Sequence, residues 1–304
     1  MKVLVIGLGS IGRKHVSAIK QVYPACIIYA LRSSPEQSEM QGVYNLYHLD
    51  DINFKPDFII ISNPTQTHAE TIAKMLKYRS PLFIEKPVLG DLSGVGRLTD
   101  TLNTQQIITY VACNMRFHPA IVFLKKFLEK DCPNINEVNI YCGSYLPAWR
   151  PGSDFRKMYS SIPELGGGVH LDLIHEIDYT KWLFGIPNSV RSFKRSVSSL
   201  KIEAVDFAQY NLLYKNFTVN ISLNYYRTEA KREIEILTDE QVIIVDLLQN
   251  KITVSGDQIY KEPFDMKETY VNQIDYFTNH IKNNIQPMNS FLEGVETLKL
   301  ALNE

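Results

Sequence analysis

The sequence predicts an α/β chain in two parts: an N-terminal doubly wound parallel sheet, then an α+β domain on a large, mostly antiparallel sheet. Three observations predict it. An apolar strand at residues 3–6 runs into the glycine turn Gly7-Leu8-Gly9-Ser10-Ile11-Gly12 and then into a helical pattern. Over the first 118 residues, near-continuous apolar runs alternate with helical stretches, as buried parallel strands and their crossovers do. After Pro119 the runs turn strand-like, rich in Tyr, Val and Ile, and follow one another as hairpins.

In order, strands are expected at residues 3–6, 26–31, 58–61, 82–84 and 107–112, with helices such as 15–23 and 69–78 between them. Ligands of such sheets bind outside the carboxyl ends of the strands, which directs attention to residues 7–12, 62–68, 85–87 and 113–118. Beyond a helix at 120–130, strands are expected at 138–145, 190–197, 207–213, 218–225, 233–237 and 242–247. Lys215-Asn216 and Thr238-Asp239-Glu240 supply turn chemistry. A single long helix at 169–184 interrupts these strands, and helices at 270–282 and 292–303 follow them. The expected domains are residues 1–118, for dinucleotide binding, and 119–304, for substrate binding and oligomerisation, with the last helix free to pack back on the first domain.

Composition excludes several classes. With 45% hydrophobic and 21% charged residues the chain is globular, and a net charge of −1 lacks the basic field that a nucleic-acid partner needs. No apolar run approaches the ~18 residues of a membrane span, and Met1-Lys2 leads at once into a core strand, not a signal peptide. Cys26, Cys113, Cys132 and Cys142 form no C-x-x-C pair, and Cys26 and Cys113 fall in expected core strands. A reduced, cytoplasmic, metal-free protein is expected.

The opening turn names a ligand class. Gly7 permits the tight turn, Gly9 lets the backbone approach a pyrophosphate, and Gly12 lets the helix pack close to the sheet with its free N–H groups aimed at the phosphates. An NAD-specific site carries an acid about 20 residues further on, for the ribose hydroxyls. Here that stretch is Tyr29-Ala30-Leu31-Arg32-Ser33-Ser34, with no acid before Glu36. Arg32 with two hydroxyls suits a 2′-phosphate, and Arg13 and Lys14 add positive charge, so NADP(H) is favoured and NAD(H) is the alternative. Otherwise Arg32 would be a solvated loop residue.

Two further elements carry chemistry. At Glu85-Lys86-Pro87 a charged pair ends an apolar strand, and proline restrains the lysine's backbone at the cofactor edge of the sheet. Alone, Lys86 would read as a surface lysine closing a strand. Gly166-Gly167-Gly168 leads into the long helix, on which Asp172, His175, Glu176 and Tyr179 recur at i, i+3, i+4 and i+7, one polar face. A carboxylate one turn from a histidine can orient the ring and raise its basicity, although such a stripe is more often a solvated face.

Together these elements resemble the glucose–fructose oxidoreductase/inositol dehydrogenase (Gfo/Idh/MocA) family of NAD(P)-dependent oxidoreductases. The resemblance covers nearly the whole chain. It rests on the glycine turn, Ser62-Asn63-Pro64-Thr65-Gln66-Thr67-His68, Glu85-Lys86-Pro87, Asn114-Met115-Arg116-Phe117-His118-Pro119, and the triple-glycine helix. It implies hydride transfer between nicotinamide and a carbinol or carbonyl carbon of a sugar, sugar derivative or cyclitol. It also implies a Rossmann domain and a homodimer or homotetramer formed through the C-terminal sheet. On the cofactor side fall Gly7, Gly9, Ser10, Ile11, Gly12, Arg32, Ser33, Ser34, Asn63, Pro64, Thr65, His68, Glu85, Lys86 and Asn114. Lys86 matches the family's active-site lysine and Asp172 its helix aspartate. The family's histidine usually stands four residues after that aspartate, where this chain has Glu176; His175 comes one residue early and takes the proton-transfer role, as in a variant branch.

Trp149, Arg150 and Arg156, just before the glycines, suit an anionic substrate such as a sugar acid or nucleotide-sugar, or else anchor an interdomain loop. Arg116, Glu176 and Tyr179 join them on the substrate side, with at least one of Arg116 and His118 serving packing. Two rivals stand beside the dehydrogenase reading: nicotinamide-assisted glycoside hydrolysis or elimination without net redox, and a non-catalytic cofactor-sensing regulator on the same fold.

Overall fold

The computed structural model describes residues 1–35, 39–131 and 133–304; Glu36 and Cys132 lie outside the described residues. The chain divides into two compact units, residues 1–114 with 266–298, and residues 115–265 with 299–304.

The first unit alternates β1 (Lys2–Ile6), α1 (Ser10–Val22), β2 (Ile27–Leu31), β3 (Tyr44–Leu46), β4 (Phe58–Ile61), α2 (His68–Met75), β5 (Leu82–Ile84), α3 (Val95–Thr104) and β6 (Thr109–Val111). The strands form one parallel sheet in the order β3-β2-β1-β4-β5-β6. Every residue of β4 and β5 is buried, which explains their unbroken apolar sequences. The strand order reverses between β1 and β4, so the turns that leave those two strands border the crevice where such sheets take ligands. Because β2 begins at Ile27, Cys26 lies before the strand and is only partly buried, short of the core position expected for it.

The second unit contains α4 (Pro119–Asp131), β7 (Ile135–Tyr145), α5 (Val169–Asp172), α6 (His175–Phe184), β8 (Ser189–Arg195), β9 (Phe207–Leu213), β10 (Thr218–Asn224), β11 (Tyr226–Thr238), β12 (Val242–Asp246), β13 (Lys251–Val254) and β14 (Asp257–Lys261). Its strands form one sheet, β14-β13-β12-β11-β7-β10-β9-β8, antiparallel except between β7 and β10. Alternation sets its two faces: Val219, Ile221 and Leu223 of β10 point inward between half-buried neighbours.

The long helix expected over residues 169–184 is two helices. Leu173 leaves helical geometry at φ −99°, ψ 30°, and the N–H groups of Ile174 and Glu176 bond three residues back, to Leu171 and Leu173. The stripe of Asp172, His175, Glu176 and Tyr179 is therefore not one solvated face. From residue 166 to 181 every residue is buried except Asp172 and His175.

After the second sheet the chain enters α7 (Lys267–Lys282), whose Phe277 packs edge-on against Phe58 and Phe83 of the first unit's core, with ring centroids 5.5 Å from each. Before α8 (Phe291–Leu302), Asn289 exchanges hydrogen bonds with the backbone of Val111, and Gln286 and Phe291 bond Thr109. These contacts cover the outer edge of β6, which would otherwise present unpaired N–H and C=O groups.

Candidate active site

The first unit's site begins at the glycine turn. Gly7 has φ +87°, and a Cβ there would stand 2.8 Å from the Asn63 backbone; a Cβ on Gly12 would overlap the Gly7 carbonyl oxygen. Ser62 Oγ closes the turn by donating to the Gly7 carbonyl at 2.8 Å. Gly9 meets nothing within 4 Å, and α1 starts there with no side-chain cap and no acid in its first turn. Ser10 and Ile11 form that first turn. An uncapped helix end facing open space fits a pyrophosphate.

Beside the turn lies a cavity of about 420 Å³ whose lining includes Gly7, Arg32, Ser33, Asn63, Pro64 and Thr71. Arg32, at the end of β2, is only 3% exposed and donates from Nη1 to Asn45 Oδ1 at 3.2 Å, so it is not a solvated loop side chain. Ser34 follows, half-buried. Asn63 is held by Thr67 and Thr71, to which its Nδ2 donates at 2.8 Å each. Thr65 and His68 turn inward and are buried, and Asn114 is buried with its Nδ2 donating to Thr269 at 2.8 Å.

Glu85, Lys86 and Pro87 leave β5. Glu85 is buried; its Oε1 meets His15 Nε2 at 2.5 Å and its Oε2 accepts from the Lys86 backbone N–H at 3.0 Å. Burial would raise the Glu85 carboxyl, but the hydrogen bond and charge of His15, with Lys86 adjacent, hold it below the ordinary carboxylate range. Lys86 is half-buried, and its bond to Pro87 is cis.

The second unit's site gathers at the joint between α5 and α6. Asp172 accepts a hydrogen bond from Tyr225 Oη at 2.5 Å, just past the end of β10. Burial, with the Asp172 charge next to it, pushes the Tyr225 hydroxyl far above its ordinary pKa, so Tyr225 stays a donor. The Trp149 ring stands edge-on to Tyr225 at 5.4 Å and donates from Nε1 to Ser144 Oγ at 2.9 Å. Arg150 and Arg156 are exposed on the loop that follows. Glu176, Tyr179 and Arg116 lie inside the unit instead. Glu176 Oε1 accepts from Arg232 Nε at 2.6 Å, and Arg116 grips Asp178 through Nε and Nη2 at 2.8 Å each. Both carboxylates follow His175 on α6, and neither is exposed. His118 packs beside them in the same unit, its Nε2 3.0 Å from the Leu247 carbonyl oxygen.

Sequence reasoning missed His15, Tyr225, Arg232 and Asp178. Only His15, three residues past Gly12 inside the glycine-turn helix, carried a local signal. The other three meet their partners at separations of 53, 56 and 62 residues. Among the described residues no cluster of His, Cys, Asp and Glu could hold a metal ion, and no helix is long and apolar enough to cross a membrane.

Residues 1–113 match the model described as "Oxidoreductase family, NAD-binding Rossmann fold", and residues 135–302 match "Oxidoreductase family, C-terminal alpha/beta domain". The chain belongs to this Gfo/Idh/MocA oxidoreductase family and is a nicotinamide-dependent oxidoreductase. It is 24% identical to a myo-inositol 2-dehydrogenase of Thermotoga maritima, over 99% of this chain and 94% of that protein. Among solved structures it resembles the UDP-N-acetylglucosamine 3-dehydrogenase of Acidithiobacillus ferrooxidans, with TM-score 0.80 and 20% identity over 100% and 96% of the chains. It also resembles a levoglucosan dehydrogenase in complex with NADH and levoglucosan, with TM-score 0.85 and 16% identity over 99% and 95%.

Proposed function

We propose that this oxidoreductase transfers a hydride between NADP(H) and a carbinol or carbonyl carbon of a sugar-like substrate. The observation that carries the reading is the exposure pattern of residues 166–181, where only Asp172 and His175 reach out of an otherwise buried stretch. Polar side chains kept half-exposed at a helix joint, with a tyrosine fixing the carboxylate, suit proton transfer better than packing.

When bound, the nicotinamide supplies the hydride chemistry. His175 accepts the proton of the substrate hydroxyl, and Asp172, held by Tyr225, orients the ring. Lys86 offers an ammonium to the oxyanion that develops as the carbon is oxidised. Gly9 and the first N–H groups of α1 would hold the pyrophosphate, and Arg32 with Ser33 the 2′-phosphate of NADP(H). The exposed guanidinium groups of Arg150 and Arg156 favour an anionic or nucleotide-linked sugar, and one structural relative is by its name a dehydrogenase of such a substrate.

Lys86→Ala tests the reading: turnover should fall at least ~10²-fold while cofactor affinity stays nearly unchanged. Retained activity would remove Lys86 from the mechanism. Fluorescence titration of the parent protein with NADPH and NADH tests the coenzyme preference, and tighter binding of NADH would overturn it.

A further inference from the structure

We infer that two buried histidines, His15 and His68, are positioning residues that fix the backbone turn carrying Lys86. The inference rests on the reading of Lys86 given above and adds what holds that lysine in place.

Lys86 sits between two clamps. On its N-terminal side, His15 of α1 reaches across to Glu85 Oε1 at 2.5 Å, and the other Glu85 oxygen turns back to accept the Lys86 N–H at 3.0 Å. Glu85 N–H is itself tied into the sheet, donating to the Ile61 carbonyl at 2.8 Å. On its C-terminal side, His68 Nδ1 lies 3.1 Å from the carbonyl oxygens of both Pro87 and Val88. The far nitrogen of the same ring lies 3.0 Å from the Asn63 carbonyl oxygen, on the loop that lines the cofactor cavity. Neither imidazole has any solvent exposure, so water cannot substitute for these bonds without opening the core.

Neither ring is placed to react. His15 is packed edge-on between Phe83 and Tyr270, at 4.9 and 5.7 Å. Both His68 nitrogens face backbone carbonyl oxygens, and the single N–H of the neutral ring donates on one side. What the two rings share is the short segment between them, whose residues Glu85, Pro87 and Val88 are all buried while Lys86 alone is half-exposed. A buried polar network around one partly exposed lysine is an arrangement that sets a direction, and a misplacement of about 1 Å at a reacting group can cost on the order of 10²-fold in rate. The clamps also explain why a histidine follows the glycine turn and another follows the Asn63 loop: each helix that begins at a cofactor loop returns one ring to the lysine turn.

His15→Ala should lower kcat roughly 10- to 100-fold, with KM and cofactor Kd held within about threefold. His15→Gln, which keeps a donor toward Glu85, should recover most of the loss. Amide hydrogen exchange on the same proteins gives a readout independent of turnover: the Lys86 N–H should exchange at least tenfold faster in His15→Ala and near the parent rate in His15→Gln. Should His15→Ala fail to fold, His68→Asn and Glu85→Gln carry the test through the same two measurements. Parental kcat together with parental Lys86 exchange in a folded variant would overturn the proposal, as would a kcat loss fully matched by loss of cofactor affinity. If Lys86→Ala keeps its turnover, the functional reading fails; if Lys86→Ala is inactive while His15→Ala is not, only the clamp fails.

Discussion

Changing Asp178 to asparagine removes one charge and little volume from the helix that carries His175. Asp178 and Arg116 are 0% and 2% exposed, and the guanidinium donates to both carboxylate oxygens at 2.8 Å. An amide presents one oxygen and one NH₂, so one guanidinium donor would face another donor, and a buried cation would lose its counter-charge. Breaking such a pair from one side costs about 3–5 kcal/mol. At about 2–4 °C per kcal/mol for a domain of this size, the melting temperature should drop by roughly 6–20 °C. The assay is thermal unfolding followed by circular dichroism without cofactor, since bound ligand would offset the loss. The double replacement Arg116→Met/Asp178→Leu removes both charges, keeps apolar volume beside Trp182, and should melt well above either single variant. A single variant that melts within about 1 °C of the parent, or a double variant no better than the singles, would refute the assignment of these residues to a closed structural pair.

Acid should weaken the second unit. Burial lowers His118 from its ordinary 6.5 to about 4, with the Arg232 charge acting the same way, and burial plus the Lys194 charge does the same to His170. The unfolded chain then takes up these protons near 6.5 and the folded chain only near 4. Stability should therefore fall as pH drops through that window, by up to about 3 kcal/mol per histidine, and level off below it. Urea midpoints at a series of pH values check this, and His118→Asn should flatten the slope. Gly12→Ala would drive a methyl into the Gly7 carbonyl and push α1 off its turn, so NADPH affinity should fall at least tenfold; parental affinity would contradict the close helix–turn contact.

The parallel sheet was legible because its central strands are buried on both faces and write themselves as apolar runs, as Phe58–Ile61 does. The elements that escaped are short or weakly patterned. β3 and β14 lie at sheet edges with exposed or half-exposed residues, β13 has four residues, and α3 reads Val-Gly-Arg-Leu-Thr-Asp, poor in helix formers. Of the residues proposed for the chemistry, Lys86, Asp172 and His175 stood out through local motif and spacing. The break at Leu173 did not, because both helical segments keep the same period and only tertiary packing reveals the joint. Glu176 looked solvent-facing for the same reason. Its partner Arg232 lies on β11, where helix periodicity carries no information about a strand that pairs with it from 56 residues away.

The proposed role of Lys86, Asp172 and His175 is hydride exchange at a bound nicotinamide. The most direct measurement is nicotinamide absorbance during turnover, with NADP⁺ and a panel of polyols, sugar acids and nucleotide-sugars, compared between the parent protein and His175→Ala. Net formation of NADPH is expected with at least one sugar-like substrate, at a rate reduced ~10²-fold or more in the variant. Conversion of a substrate with no net change in the nicotinamide signal, or equal rates in parent and variant, would contradict it.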